Sequence, residues 1–167
     1  NIEISQISTD GYYYSIDDRD IKTGFSGKVL NMRVLLKNGF IKEVPNGYYE
    51  QCGRNVSLEC EIKMSEKMLD EYQNYNLKNG DKRSSNINLW DWGKYNINND
   101  SVLIQKFYNY LGNYYLIEER GKIIDNFSFI LTKKIDYRTK ATYVINEMYS
   151  FKKYDVSKMY NKYPLNL

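Results

Sequence analysis

From Trp90 to Leu131 the chain reads WDWGKYNINNDSVLIQKFYNYLGNYYLIEERGKIIDNFSFIL, a run of short β-rich segments separated by brief polar breaks. The segments are Trp90–Ile97, Ser101–Tyr108, Asn113–Glu119 and Lys122–Leu131. Breaks this short admit only hairpins, because a parallel crossover needs about a dozen residues or more. The stretch therefore predicts an antiparallel meander, and the rest of the chain has to pack around it.

A second hairpin signal precedes it. Lys28–Lys37 and Phe40–Val44 flank Asn38-Gly39, the pair that best fits a type I′ turn with both central residues at positive φ. A two-residue loop would put Leu30, Met32, Val34, Leu36 and Ile41 on one face, with Glu43 as that face's anomaly. Asn31, Arg33, Leu35, Lys37, Phe40 and Lys42 would take the other. The first face reads as the core.

In the meander, a two-residue loop at Asn98–Asp100 groups Tyr95, Ile97, Val102 and Ile104, against Trp90, Trp92, Leu103, Gln105 and Phe107. A tight turn at Arg120-Gly121 groups Tyr114, Leu116, Ile123, Phe127, Phe129 and Leu131 with Glu118 and Asp125. Tyr143, Ile145, Glu147, Tyr149 and Phe151 alternate along the last strand. Between the two hairpin systems the period changes: Leu58, Ile62, Leu69 and Tyr72, with Met64 and Met68, fit one amphipathic helix within about 55–76, with Asn55 as N-cap.

Eight strands are thus expected, at about 11–16, 28–37, 40–45, 90–97, 101–108, 113–119, 122–132 and 141–153. Residues 17–27, 79–86 and 133–140 are expected as polar loops or turns, and 154–167 as an irregular tail. Eight sequential antiparallel strands can close on themselves and lose their edges. The expectation is one all-β domain, an up-and-down barrel, with one inserted helix between strands three and four covering an end. A length of 167 residues fits one domain.

Composition narrows the chemistry. There are 18 Tyr against 6 Phe, so much of the apolar surface carries hydroxyls suited to half-buried strand positions. The absence of His removes His-activated nucleophiles and His-ligated metals. Lys and Arg number 24 and Asp and Glu 21, for a net +3. These charges are interspersed, so no basic patch points to nucleic acid. No cofactor motif stands out: Gly24-Phe25-Ser26-Gly27-Lys28 is too short to cradle a phosphate. No apolar run is long enough to span a bilayer. Cys52 and Cys60 read as idle thiols or as a disulfide, which is sterically open because Cys52 precedes the helix. Without an initiator Met or a leader, the chain reads as a trimmed mature fragment.

Three features invite functional readings. Glu43, Glu118, Asp125 and Glu147 reach the core face in these registers and could supply a glycosidase-like carboxylate pair, or sit at strand ends on the barrel rim, or pair structurally with Arg33 or a lysine. Trp90-Asp91-Trp92 could form an exposed stacking platform, or pack at a barrel end. The Tyr-rich walls could bind a partner.

The order of GYYYS, NGFI, WGKYNINNDSVLIQ, EERGKIIDNFSFIL and NEMYSFKK resembles the lipocalin-like (calycin-type) domains of small exported lipoproteins of Bacteroidetes-type bacteria. The resemblance covers most of the chain outside about 46–88. Its motifs describe turns and packing, not chemistry. The helical insertion is long for that pattern, and Asn38-Gly39 stands where an acidic residue and Gly are usual. The resemblance implies a calycin-like barrel on a periplasmic or outer-membrane-anchored lipoprotein, touching the membrane only through a lipid anchor.

On that basis the chain is expected to be a non-catalytic cell-envelope module holding a small apolar molecule. Met32, Val34, Tyr95, Ile104, Leu116, Phe127, Phe129 and Tyr149 would line the lumen, with Glu43 and Glu147 as polar anchors. The alternative is an interaction or structural protein with a filled barrel and a protein or glycan partner. A hydrolase using buried carboxylates ranks third.

Overall fold

The computed structural model describes residues 7–22, 25–44, 49–53, 55–74 and 92–161. Its elements are β1 (Gly11–Lys22), β2 (Phe25–Leu35), β3 (Phe40–Val44), β4 (Asn55–Val56), α1 (Leu58–Asn74), β5 (Trp92–Asn98), β6 (Ser101–Tyr110), β7 (Asn113–Asp125), β8 (Ser128–Asp136) and β9 (Ala141–Lys153), with 3-10 turns at Tyr49–Cys52 and Ser157–Asn161. Eight strands hydrogen-bond in the order β1-β9-β8-β7-β6-β5-β3-β2, and a β1–β2 ladder closes the ring. Every pair in the ring is antiparallel. The two-residue β4 adds to β2 in parallel at Ser26 and Gly27.

The Asn38-Gly39 hairpin forms, but its loop is one residue longer than the two-residue reading. Leu36 N–H donates to the Phe40 carbonyl at 2.8 Å and Gly39 N–H to the Leu36 carbonyl at 3.0 Å. Lys37, Asn38 and Gly39 form the loop, and Gly39 takes φ +84°, the left-handed position that closes a three-residue hairpin. Arg33 therefore pairs with Glu43, and Leu35 with Ile41. A slip of one residue moves a whole strand to the opposite face. Ile41 and Glu43 thus join Arg33 and Leu35, away from Met32 and Val34.

The face assigned to the core is the outer one. Leu30, Met32, Val34 and Leu36 pack with Tyr12, Val44, Trp92, Leu69 of α1, and Val156 and Met159 of the tail. That cluster lies between the outside of β1, β2, β3 and β5 and the helix laid over them. A separate cluster draws on all eight barrel strands: Tyr13, Leu35, Ile41, Tyr95, Ile97, Val102, Ile104, Ile123, Phe129, Leu131, Ile145, Tyr149 and Phe151, with Ile7. This second cluster fills the lumen.

Ser57, not Asn55, caps α1: Cys60 N–H donates to Ser57 Oγ at 3.2 Å and Glu61 N–H to the Ser57 carbonyl at 3.1 Å. Asn55 is used instead in β4. A disulfide joins Cys52 to Cys60, so the 3-10 turn before the helix is clipped to its first turn. Glu61 is buried, and its carboxylate accepts the backbone N–H of Leu30. It thereby completes the edge of β2 between β3, whose last rung is Met32↔Val44, and β4, whose rung is Gly27↔Val56.

Arg120-Gly121 is not a turn. β7 runs through it, with a bulge against β8, because a Cβ at Gly121 would stand 1.8 Å from the Ile130 carbonyl oxygen; this glycine permits a close backbone approach rather than a reversal. The reversal comes at Asn126-Phe127, where Asp125 Oδ1 accepts Phe127 N–H and Ser128 Oγ–H, both at 2.8 Å. The expected strand 122–132 is split there, and the expected polar turn at 133–140 narrows to 137–140. Residues 17–22 and 25–27, expected as loop, continue the β1–β2 ladder to Lys22↔Phe25; a backbone ladder needs no apolar pattern to extend. The tail after Lys153 is not wholly irregular, since Val156 and Met159 are buried against α1's side of the barrel. Residues 79–86, Trp90, Asp91 and 162–167 lie outside the described residues.

Among the described residues, three that are not glycine have positive φ: Asn99 (56°), Leu111 (51°) and Lys140 (57°). Asn tolerates this region; for leucine and lysine it costs roughly 1 kcal/mol or more.

Candidate functional site

The lumen has two halves. Toward the end where Ile7 enters, it is apolar. Phe129 stacks on Tyr149 with centroids 4.9 Å apart and planes 7° apart. Tyr13 meets Phe129 at 5.2 Å and Phe151 at 5.3 Å. Tyr13, Phe129, Tyr149, Leu35 and Leu131 have no exposed surface. Tyr13 donates its hydroxyl to the Ser8 carbonyl at 3.0 Å, and Tyr95 to the Leu36 carbonyl at 2.7 Å. Both polar tips are therefore satisfied at the rim, as buried tyrosines require.

Toward the other end the lumen is crossed by ion pairs. Parity along the strands brings them together: Arg33 and Glu43 are cross-strand partners, Lys106 lies opposite Gly93, and Glu119 lies opposite Ile104. Arg33 grips Glu119 with both ends of its guanidinium, at 2.6 and 3.2 Å, reaches Glu43 at 3.0 Å, and stands 4.8 Å from the centre of the Tyr149 ring. Lys106 pairs with Glu43 and lies 3.6 Å from Glu119. Arg33 and Glu119 are about 95% or more buried, whereas Glu43 retains 31% side-chain exposure. Glu43 is thus the member nearest the open end. Glu147, opposite Leu131, accepts the Tyr149 hydroxyl at 3.2 Å.

Burial alone would raise the pKa of these carboxyls, but the cations more than offset it. Arg33 and Lys106 hold Glu119 down to about 2. Lys106 and then Arg33 hold Glu43 below the usual carboxylate range. Burial works against the Arg33 charge, and Glu119, Tyr149 and Glu43 overturn that, leaving its pKa raised. Tyr149 is pushed up by burial against the opposing pull of Arg33. Both carboxylates of the brace therefore stay ionised at any ordinary pH. Neither is the raised-pKa acid that a glycosidase pair needs.

A stability profile follows from the sign of these shifts. A carboxylate with a lowered native pKa stabilises the fold above its unfolded pKa, and that contribution is lost as the pH falls through the native value. Urea midpoints should therefore decline from about pH 4.5 down to about pH 2, and Glu119→Gln should flatten the decline. Burial raises the pKa of Glu61, so its stabilising contribution is present at low pH and lost as the pH rises. It therefore partly offsets the acid loss without reversing it.

Of the residues expected to line the lumen, Tyr95, Ile104, Phe129, Tyr149, Glu43 and Glu147 point into it. Four do not. Met32 and Val34 are under the helix. Leu116 lies opposite Phe107 on the outer wall, because β7 continues without reversing and places Ile117 and Glu119 inward. Phe127 sits in the β7–β8 turn, more than half exposed, with its ring against Phe151 at 5.8 Å. The other carboxyls also leave the core face. Glu118 is on the outer wall with Gln105 and Arg120, and Asp125 is in the turn. Trp92 is fully buried, donating Nε1–H to the Tyr72 hydroxyl at 3.1 Å and meeting Phe40 edge-on at 6.3 Å. It is helix–barrel packing, not an exposed platform.

Sequence reasoning offers Arg33 or a lysine only as a structural partner for the candidate carboxyls, and Arg33 does pair with Glu43; it does not single out Lys106 or Glu119. Their one legible signal was Glu43, a charge stranded on an apolar face under the wrong register.

Outside, α1 and the tail cover only one side of the barrel. Over β6–β9 no described element covers the wall. Phe107 and Met148 are nearly half exposed and Val144 is 94% exposed. Leu116 and Ile135 lie among them, half-buried. An open cleft of about 680 Å³ beside this wall is lined by Asn96, Asn98, Ser101, Leu103 and Arg120. Comparison with protein-family models, with curated proteins and with solved structures finds no match for the chain.

Proposed function

We propose that the chain is a non-catalytic interaction module of an exported protein, and that it meets a protein partner through the outer wall of β6–β9 while its barrel is filled by its own side chains. The observation that carries this reading is the packing of the lumen, with Phe129, Tyr149, Tyr13 and Leu35 fully buried in one half and the Arg33–Glu119 brace across the other. That leaves little volume for an apolar guest, and ion pairs make a poor seat for one. The uncovered wall mixes aliphatic, aromatic and charged side chains, as non-obligate interfaces do. A lipocalin-like, up-and-down relationship is supported by the strand order, each barrel strand pairing with its neighbours in the chain. Export is supported by the Cys52–Cys60 bridge, since disulfides persist in oxidising compartments.

The test is photocross-linking in the producing cells. A benzoylphenylalanine at Val144 should give a discrete protein adduct, and one at Lys67, on the exposed side of α1, should not. Identical adducts from both sites would sink the proposal. So would a small molecule retained stoichiometrically in native mass spectra of the chain purified without denaturation.

A further inference from the structure

The β6–β7 hairpin outruns the barrel. Beyond Lys106↔Ile117 it continues through Phe107↔Leu116, Tyr108↔Tyr115, Asn109↔Tyr114 and Tyr110↔Asn113. The β5 ladder to β6 begins at Gly93↔Lys106, and the β8 ladder to β7 ends at Ile117↔Asp136. Four rungs, about 14 Å of two-stranded ribbon, therefore stand past the described strands on either side. At the tip, Leu111 is 84% exposed and held at φ 51°, in a turn where Asn before Gly is the ordinary choice. An apolar side chain that is both exposed and conformationally disfavoured points to a contact made elsewhere. Tyr110 and Tyr114, each about half exposed, lie on the ribbon just behind it, and Tyr137, also about half exposed, stands in the neighbouring β8–β9 turn.

The neighbouring turn supplies charge. Arg138 lies over the Tyr110 ring at 4.1 Å and donates Nε–H to the Tyr108 hydroxyl at 2.7 Å, which props the ribbon against the β8–β9 turn. Lys140 is exposed there, also at positive φ. The acid of this turn, Asp136, is engaged by Tyr108 Oη at 3.0 Å and by Arg138 N–H at 2.9 Å. The two turns thus carry two bases against one acid, an excess of one positive charge.

We infer that the ribbon tip and the β8–β9 turn dock on an anionic lipid bilayer. Leu111 enters the acyl boundary, the tyrosines lie at headgroup level, and Arg138 and Lys140 meet the phosphates. A projecting two-residue tip does not offer the roughly 800 Å² per side that a standard protein interface uses. A bilayer needs only an apolar tip with amphipathic rings and cations set back behind it. This surface is separate from the wall around Val144, so the two proposals fail independently.

The test is sedimentation with phosphatidylcholine vesicles, with and without phosphatidylglycerol. The chain should partition onto the anionic vesicles. Leu111→Asn should lower that partition about tenfold while raising the thermal midpoint, because the turn is relieved. A merely structural role for Leu111 would not produce that opposition. Lys140→Gln should weaken binding about fivefold on anionic vesicles only. Equal partition of the wild type and Leu111→Asn would overturn the inference. So would failure of the wild type to sediment with either vesicle, which would assign the tip to a protein instead.

Discussion

Replacing Arg33 with Met should lower the unfolding free energy by about 3–5 kcal/mol, because it strands a buried carboxylate. Glu119 would lose both guanidinium bonds, at 2.6 and 3.2 Å, and keep only Lys106 at 3.6 Å and the weaker field of Lys134. Glu43 would keep its Lys106 partner and its partial exposure, so most of the loss belongs to Glu119. Small domains are stable by about 5–15 kcal/mol, and the variant should therefore be near its limit at room temperature. The companion variant separates pairing from packing. Arg33→Met with Glu119→Leu removes both charges and should recover most of the loss, since an apolar replacement of a whole buried pair is often neutral or better. Urea unfolding of the three proteins reads the difference. A cost below about 1 kcal/mol for Arg33→Met would place the pair in the regime of exposed ion pairs and open the lumen to water.

Phe129→Ala should cost about 3–5 kcal/mol and should also change what the barrel can do. The ring is fully buried, stacked on Tyr149 and tilted against Tyr13, with Leu131 and Ile123 in the same cluster. Truncation leaves an apolar void, and voids of that lining stay dry and accept small aromatic guests. Benzene should therefore raise the thermal midpoint of the variant and leave the wild type unmoved. An equal shift for both would mean that the native lumen already has room, and the small-molecule reading would regain its place.

The number of barrel strands was legible because turns and alternation repeat along the chain, whereas the two-residue β4 was not. The facing of the strands was not. Leu30, Met32, Val34 and Leu36 form the more apolar face of β2, and apolarity picks that face as the core. They are apolar because α1 covers the outside of the barrel there, a tertiary fact no local pattern announces. The inner face carries Arg33, which looks solvated until Glu119 arrives from 86 residues away. The Asn38-Gly39 turn could be located but not measured: a two-residue loop and a three-residue loop with Gly left-handed both suit that dipeptide, and the difference inverts Ile41 and Glu43. Gly121 followed a charged residue and looked like a reversal. Its real reason, the Ile130 carbonyl pressed against it, depends on the pairing of β7 with β8, and the false turn had joined the end of β7 and the start of β8 into one strand. Glu119 fell at the strand end before that false turn and was passed over.

The lumen is closed by its own side chains around the Arg33–Glu119 brace. Side-chain NMR of the arginines at neutral pH tests it most directly. Arg33 should show resolved, slowly exchanging guanidinium protons with cross-peaks to the Tyr149 ring, 4.8 Å from its carbon. Rapid exchange with water at Arg33, with no contact to Tyr149, would contradict it.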